Sequence, residues 1–159
     1  MTIQDIGPKP DVFDLETATR ENPEYRRVAW SGRFLQLTLM SIGAGQSIGL
    51  EMHPDTDQFL RVDAGRGRLQ TGPAKETMTA HQDVGDGWCM LVPAGTWHDV
   101  VNTGDTPLRL YAIYAPVHHA AGRVHATAED AMRDEQAGGD EPPAWSEQPP
   151  RVKPDQHAG

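Results

Sequence analysis

The sequence contains a single cysteine and no long apolar run, and each absence excludes a class of protein. Cys89 has no second cysteine to pair with, which rules out an intramolecular disulfide and favours a reducing compartment. No apolar stretch of the chain approaches the roughly 20 residues that a membrane-spanning helix needs. Residues 1–11 also lack the basic segment and apolar core of a secretory signal. We therefore expect a cytoplasmic protein with no membrane partner.

Basic residues are few relative to acidic ones. The chain carries 14 Lys and Arg against 23 Asp and Glu, a formal net charge of −9. Nucleic acids and anionic membrane surfaces attract basic proteins, so we expect neither as a partner. With 159 residues, 37% of them hydrophobic, the sequence is long enough for one domain with its own core.

The pattern of apolar residues divides the chain into four segments. Residues 1–28 are polar, contain several prolines and predict an arm with at most one short helix. Short apolar runs between Gly and Pro turns occupy residues 29–116, a pattern typical of an antiparallel β-barrel. Residues 117–133 predict a loop and a short helix. Residues 134–159 are rich in proline and poor in large apolar side chains, and therefore predict a disordered tail.

Residues 45–65 concentrate side chains that can bind a metal ion. Glu51 and His53 are two positions apart, so in a strand their side chains lie on the same face. Pro54 ends that run, and Gln58 opens a second apolar run. A second stretch, residues 87–102, contains an apolar run, a Pro-Ala-Gly turn and another apolar run with His98 near its start. Two such hairpins can close a metal cage that neither forms alone.

These two stretches resemble the paired signature motifs of the cupin superfamily. The first family motif is Gly-x5-His-x-His-x3 or 4-Glu-x6-Gly, and this chain has Gly45-x5-Glu51-x-His53-x4-Gln58-x6-Gly65. The second motif is Gly-x5-Pro-x-Gly-x2-His-x3-Asn, and it matches at Gly87, Pro93, Gly95, His98 and Asn102. The spacing is retained, while Glu51 replaces the first His and Gln58 replaces the usual Glu.

The resemblance extends from about Phe34 to about Met132 and implies an all-β fold. The expected architecture is a single antiparallel β-barrel or jelly roll with short helices at its ends. The segment after the barrel is similar to that of small single-domain bacterial cupins often described as mannose-6-phosphate-isomerase-like, a description of fold and not of activity. Such proteins commonly dimerise, so the resemblance also implies a homodimer.

The resemblance implies a divalent metal ion held by Glu51, His53, Gln58 and His98. An inward carboxylate is costly unless it is paired, protonated or bound to metal, and Glu51 beside His53 favours coordination. Gln58 is either a direct ligand or a hydrogen-bond partner of one. Two His and one carboxylate favour Fe(II), with Mn, Zn, Ni or Co as alternatives, and leave coordination positions open.

Two functions are compatible with this metal set. The first is a metal-dependent enzyme acting on a small polar organic molecule inside the barrel, as an oxygenase or as an isomerase or lyase. The second is a non-catalytic cupin that binds or senses a small molecule, with the altered ligands marking lost catalysis. Because cupins have many functions, the fold alone does not decide between them and names no substrate.

Alternation along the strands also predicts which way side chains outside the metal set point. If Glu51 and His53 point inward, the apolar residues between and before them point outward and need a cover, either the arm or a second subunit. These residues are Ile48, Leu50 and Met52. Tyr114 is expected to face the interior and Cys89 to pack in an apolar strand. The remaining predictions place Asp55 and Asp57 in a solvated turn, and His81, His118, His119 and His125 on the surface or in packed loops, with the post-barrel loop able to cover the pocket mouth.

Overall fold

The computed structural model describes residues 2–148 of the chain. Within them the chain forms nine strands and two helices. The helices are α1 (Leu15–Glu21) and α2 (Ala128–Gln136). The strands are β1 (Arg26–Ser31), β2 (Gln36–Ile42), β3 (Asp57–Ala64), β4 (Arg66–Gly72), β5 (Ala80–Gly85), β6 (Cys89–Val92), β7 (Trp97–Asn102), β8 (Leu108–Ala115) and β9 (Val124–His125). Neither of these helices is long and apolar enough to cross a bilayer.

The strands form two antiparallel sheets that pack face to face as a jelly roll. A six-stranded sheet has the order β6-β3-β8-β2-β1-β9, and a three-stranded sheet has the order β5-β4-β7. Every pairing between named strands is antiparallel. The predicted all-β fold, an antiparallel jelly roll with short terminal helices, is therefore confirmed.

Strand β8 shows how the sequence pattern positions the core. Its alternate residues, beginning at Leu108 and ending at Tyr114, are buried, while the residues between them are partly exposed. These side chains join others from both sheets in one apolar cluster that includes Leu60 and Val100. Burying one large aliphatic side chain in this way contributes about 1.5–3 kcal/mol to stability. The predicted inward orientation of Tyr114 is confirmed.

A second, smaller cluster lies on the opposite face of the six-stranded sheet. Residues from the N-terminal segment, including Ile3 and Ala18, pack there against Ala29 and Leu39. The predicted arm segment, residues 1–28, also contributes to the sheet itself, because β1 begins at Arg26. Strand β1 was not expected before residue 29, since two adjacent arginines have the polar character of an arm.

The predicted outward face of the Glu51 strand holds for Leu50 but is wrong for Ile48 and Met52. Residues 45–51 form only isolated bridges, and Gly49 has a φ of +88°, which interrupts the alternation of a strand. Ile48 therefore packs on the core cluster and Met52 lines an internal cavity, while Leu50 is exposed. These residues no longer support a homodimer interface, and the homodimer rests on the family resemblance alone.

The predicted disordered tail also needs correction over the residues that the structure describes. Helix α2 continues to Gln136, and residues 137–148 run back across the barrel. Trp145 Nε1 donates to the Ser31 carbonyl at 3.3 Å, and Gln148 Nε2 donates to the Val117 carbonyl at 3.1 Å. Polar contacts hold this segment, which a count of large apolar residues does not detect. The rest of the predicted tail, residues 149–159, lies outside the described residues.

Candidate metal centre

The two motif stretches are joined by backbone hydrogen bonds at the positions of the predicted ligands. The Glu51 amide donates to the His98 carbonyl at 3.0 Å, and the His98 amide donates to the Glu51 carbonyl at 2.9 Å. The Gly95 amide donates to the His53 carbonyl at 2.9 Å, which ties the third ligand to the turn before β7. This pairing fixes the backbone of all three residues before any metal binds.

The side chains of Glu51, His53 and His98 converge on one point. The Nε2 atoms of His53 and His98 each lie 3.5 Å from Oε1 of Glu51. One potential ligand atom from each of the three residues lies within 4.8 Å of the other two. Both Nε2 atoms are buried, and neither forms a well-aligned hydrogen bond with the described chain, although the Glu51 carboxylate is within ion-pair distance of each. A metal ion between them would satisfy both atoms, so these residues fit a bound divalent metal.

Local contacts prepare the His98 ring to bind a metal. Its Nδ1 lies 3.0 Å from the Thr96 carbonyl, so the proton belongs on Nδ1 and the lone pair of Nε2 is free. Burial raises the pKa of the Glu51 carboxyl, but the adjacent imidazoles of His53 and His98 outweigh it and hold the pKa below its usual range. Glu51 is therefore an ionised carboxylate at neutral pH, as a metal ligand must be.

Gln58, the fourth predicted ligand, is buried in β3 opposite Tyr114. Its Oε1 atom has no hydrogen-bond partner in the described chain. Its role as a ligand or as a hydrogen-bond partner stays a prediction.

Two of the three convergent residues border a cavity of about 420 Å³, which the sequence predicts only in part. Glu51 and His53 line it, together with His118, His119 and Asp140. The His118 ring lies 4.4 Å from the His53 ring, centroid to centroid. The expectation that the loop after β8 folds over the pocket is therefore confirmed at these two histidines.

Asp140 anchors the C-terminal segment at this cavity. Its Oδ2 lies 2.7 Å from Nδ1 of His119, and its Oδ1 accepts from the Ala120 amide at 2.8 Å. Burial raises the pKa of the Asp140 carboxyl, but the bond to His119 outweighs it and the net pKa is lowered. The Nε2 atom of His119 is buried without a partner. Asp140 was missed because it lies in the segment that its composition assigned to a disordered tail.

Several other predicted positions have different environments. Cys89 is exposed at the sheet edge, so the prediction that it packs in the interior is wrong, because it occupies the outward face of β6. Asp57 accepts from the Ala94 amide at 2.9 Å and so ties the two motifs together, whereas Asp55 is exposed. His81 is exposed as predicted. His125 is buried in β9, where its Nε2 lies 2.7 Å from Oδ2 of Asp134.

Comparison with known proteins identifies the family. Residues 38–114 match the Cupin domain. The chain is 48% identical over 135 residues to YrkC of Bacillus subtilis (strain 168), which covers 85% of this chain and 73% of that protein. It is also 37% identical over 129 residues to L612 of Acanthamoeba polyphaga mimivirus, covering 80% and 75% of the two proteins.

A solved structure agrees over most of the described fold. The crystal structure of BH2720 from Bacillus halodurans superposes with a TM-score of 0.81 and 50% sequence identity, and covers 82% of this chain and 99% of that chain. The chain belongs to the cupin family. The narrower mannose-6-phosphate-isomerase-like subtype stays a prediction.

Proposed function

We propose that this cupin is a metalloenzyme that acts on a small polar organic molecule in the cavity beside Glu51, His53 and His98. The observation that carries the proposal is the convergence of two buried Nε2 atoms and one carboxylate oxygen on one point. The adjacent cavity gives a small molecule room to reach the same point.

The ligand types favour Fe(II), with Mn, Zn, Ni or Co as alternatives. Two imidazoles and one carboxylate make up the facial set typical of non-haem Fe(II) sites. A metal bound there supplies a Lewis acid with open coordination positions, which suits either an oxygenase or an isomerase or lyase. Gln58, with its unpartnered Oε1, is the candidate fourth ligand.

The residues around the cavity orient the substrate and exclude water. Asp140 holds the His119 ring through Nδ1, which fixes the direction of its free Nε2. Burial, with the neighbouring His119 and His53, lowers the pKa of His118 to about 3. His118 is therefore neutral at physiological pH and offers a substrate one hydrogen-bond donor and one acceptor. These imidazoles are the groups placed to accept or deliver a proton beside the ligand residues.

Metal content of the full chain tests the proposal. Untagged protein purified without chelators should contain close to one equivalent of a divalent metal by inductively coupled plasma mass spectrometry. His98→Ala should lose it, because the variant lacks one of the three convergent ligands. His81→Ala is the matched control, since His81 is exposed in β5 and is not part of the site.

Full metal content in His98→Ala would contradict the assignment of the site. A chain that holds metal but turns over no small polar substrate would favour the alternative, a non-catalytic cupin that binds or senses a small molecule.

A further inference from the structure

Arg26 places a guanidinium group inside the cavity of the candidate metal centre. It lies at the start of β1, where its backbone pairs with Met40 and His125. Its side chain lines the cavity together with Glu51, His53 and Asp140, and the residue is only 8% exposed. Arginine is seldom buried unless a counter-charge accompanies it.

No counter-charge within residues 2–148 contacts Arg26. Its guanidinium makes no hydrogen bond or ion pair with any described residue, and its Nε atom is buried without a partner. Its Cζ lies 5.4 Å from the ring centroid of its sequence neighbour Tyr25, and the carboxylates of Glu51 and Asp140 attract it from more than 4 Å away. By contrast Arg27, the next residue in β1, donates to the Ile3 carbonyl and pairs with Glu24.

Two acidic groups of the cavity, Glu51 and Asp140, attract Arg26 at longer range but make their close contacts with other groups. Glu51 faces the two imidazoles of the candidate metal site, and Asp140 is held by His119 and the Ala120 amide. A buried guanidinium without a partner costs several kcal/mol, and an anion entering the cavity would remove that cost. The unused planar fork of Arg26 is therefore a built site for an oxyanion.

We propose that Arg26 binds a carboxylate group of the small molecule that occupies this cavity, so that the substrate of the proposed metalloenzyme is an organic carboxylate. The proposal rests on the proposed function for the identity of the substrate, but not for the binding itself. A carboxylate carries one negative charge and matches a single guanidinium in a bidentate pair. A phosphate monoester carries about −1.5 to −2 charges at neutral pH and would meet the acidic Glu135 and Glu141 side chains that also border the cavity.

The substrate would then be bound at two points. Arg26 holds its carboxylate, and the rest of the molecule extends toward Glu51 and His53 in the same cavity, behind which His98 contacts Glu51. Such a clamp fixes orientation and selects anionic molecules over neutral ones of the same shape.

Calorimetric titration of the full chain with benzoate and with benzamide tests the proposal. The two probes have nearly the same shape but differ in charge, and each is titrated before and after metal removal with a chelator. Benzoate should bind about 10- to 100-fold more tightly than benzamide, as expected for a charge-assisted hydrogen-bonded pair. Arg26→Gln should lose this preference, whereas Arg27→Gln, the matched control on the same strand, should keep it.

Other outcomes overturn the proposal. Equal binding of the two probes, undiminished benzoate binding by Arg26→Gln, tighter binding of inorganic phosphate than of benzoate, or no benzoate binding at millimolar concentration would each contradict it. If Arg26→Gln fails to fold by circular dichroism, the benzoate and benzamide comparison on the unaltered chain decides alone. Metal analysis separates the two proposals. Protein that contains no metal as purified but still prefers benzoate would contradict the proposed function and leave the Arg26 site supported.

Discussion

Replacement of Asp140 by alanine tests whether the C-terminal segment is fastened to the barrel at the cavity. The carboxylate makes two hydrogen bonds, to His119 Nδ1 and to the Ala120 amide, and its side chain is only 9% exposed. A hydrogen bond to a charged group contributes about 1.5–3 kcal/mol, and removing one partner of a buried pair costs about 3–5 kcal/mol. Asp140→Ala should therefore lower the free energy of unfolding by about 3–5 kcal/mol.

Urea denaturation at neutral pH measures this loss, and hydrogen exchange at the His119 and Ala120 amides shows whether it is local. Glu141→Ala is the matched control, because Glu141 is exposed and its side chain makes no hydrogen bond or ion pair with the described chain. Its effect should stay within about 0.5 kcal/mol. A change that small in Asp140→Ala, together with unaltered exchange, would refute the anchoring of residues 137–148.

The same bond predicts a dependence on pH. The pKa of Asp140 is lowered in the folded state, so its contribution to stability is present above the unfolded pKa, about 3.9. That contribution is lost as the pH falls from there toward the folded pKa. The stability difference between the unaltered chain and Asp140→Ala should shrink over this acidic range, and a difference that stays constant would contradict the assignment.

Gln58, Gly49 and the oligomeric state each allow a further test of the site and the fold. Gln58→Ala should weaken metal affinity by about 10- to 100-fold without abolishing binding, measured by competition with a chelator, and an unchanged affinity would exclude a role at the metal. Gly49→Ala should lower the free energy of unfolding in urea by about 1–2 kcal/mol, because a residue with a Cβ is strained at a φ of +88°. No nearby atom would clash with the new Cβ, so the backbone strain is the whole effect. Equal or greater stability would contradict this. Light scattering at micromolar concentration should give the mass of a homodimer, and a clean monomer mass would remove the dimer.

The sequence predicts well those parts of the fold in which a strand alternates strictly. Strand β8 is one case, since its inward residues from Leu108 to Tyr114 are all buried. Strand β1 is the opposite case, because Arg26 and Arg27 give it a polar character although Arg26 is buried. The side chain of Arg26 is accommodated by the shape of a cavity, which no local pattern encodes.

The residues of the candidate metal centre were likewise predictable from the sequence only in part. Glu51, His53 and His98 were predicted from motif spacing, because spacing within two paired hairpins fixes which side chains meet. Asp140 and Arg26 reach the same cavity from segments distant in sequence, so only tertiary packing brings them there. His118 and His119 were only weakly indicated as site residues, by the occurrence of two adjacent histidines shortly after the last long strand.

The central claim is that a divalent metal lies between Glu51, His53 and His98, and anomalous diffraction at the metal absorption edge tests it most directly. Crystals of the full chain purified without chelators should show one strong anomalous peak. This peak should lie about 2.0–2.3 Å from the Nε2 atoms of both histidines and from a carboxylate oxygen of Glu51. A metal-replete crystal whose peak lies elsewhere, with these three side chains uncoordinated, would contradict it.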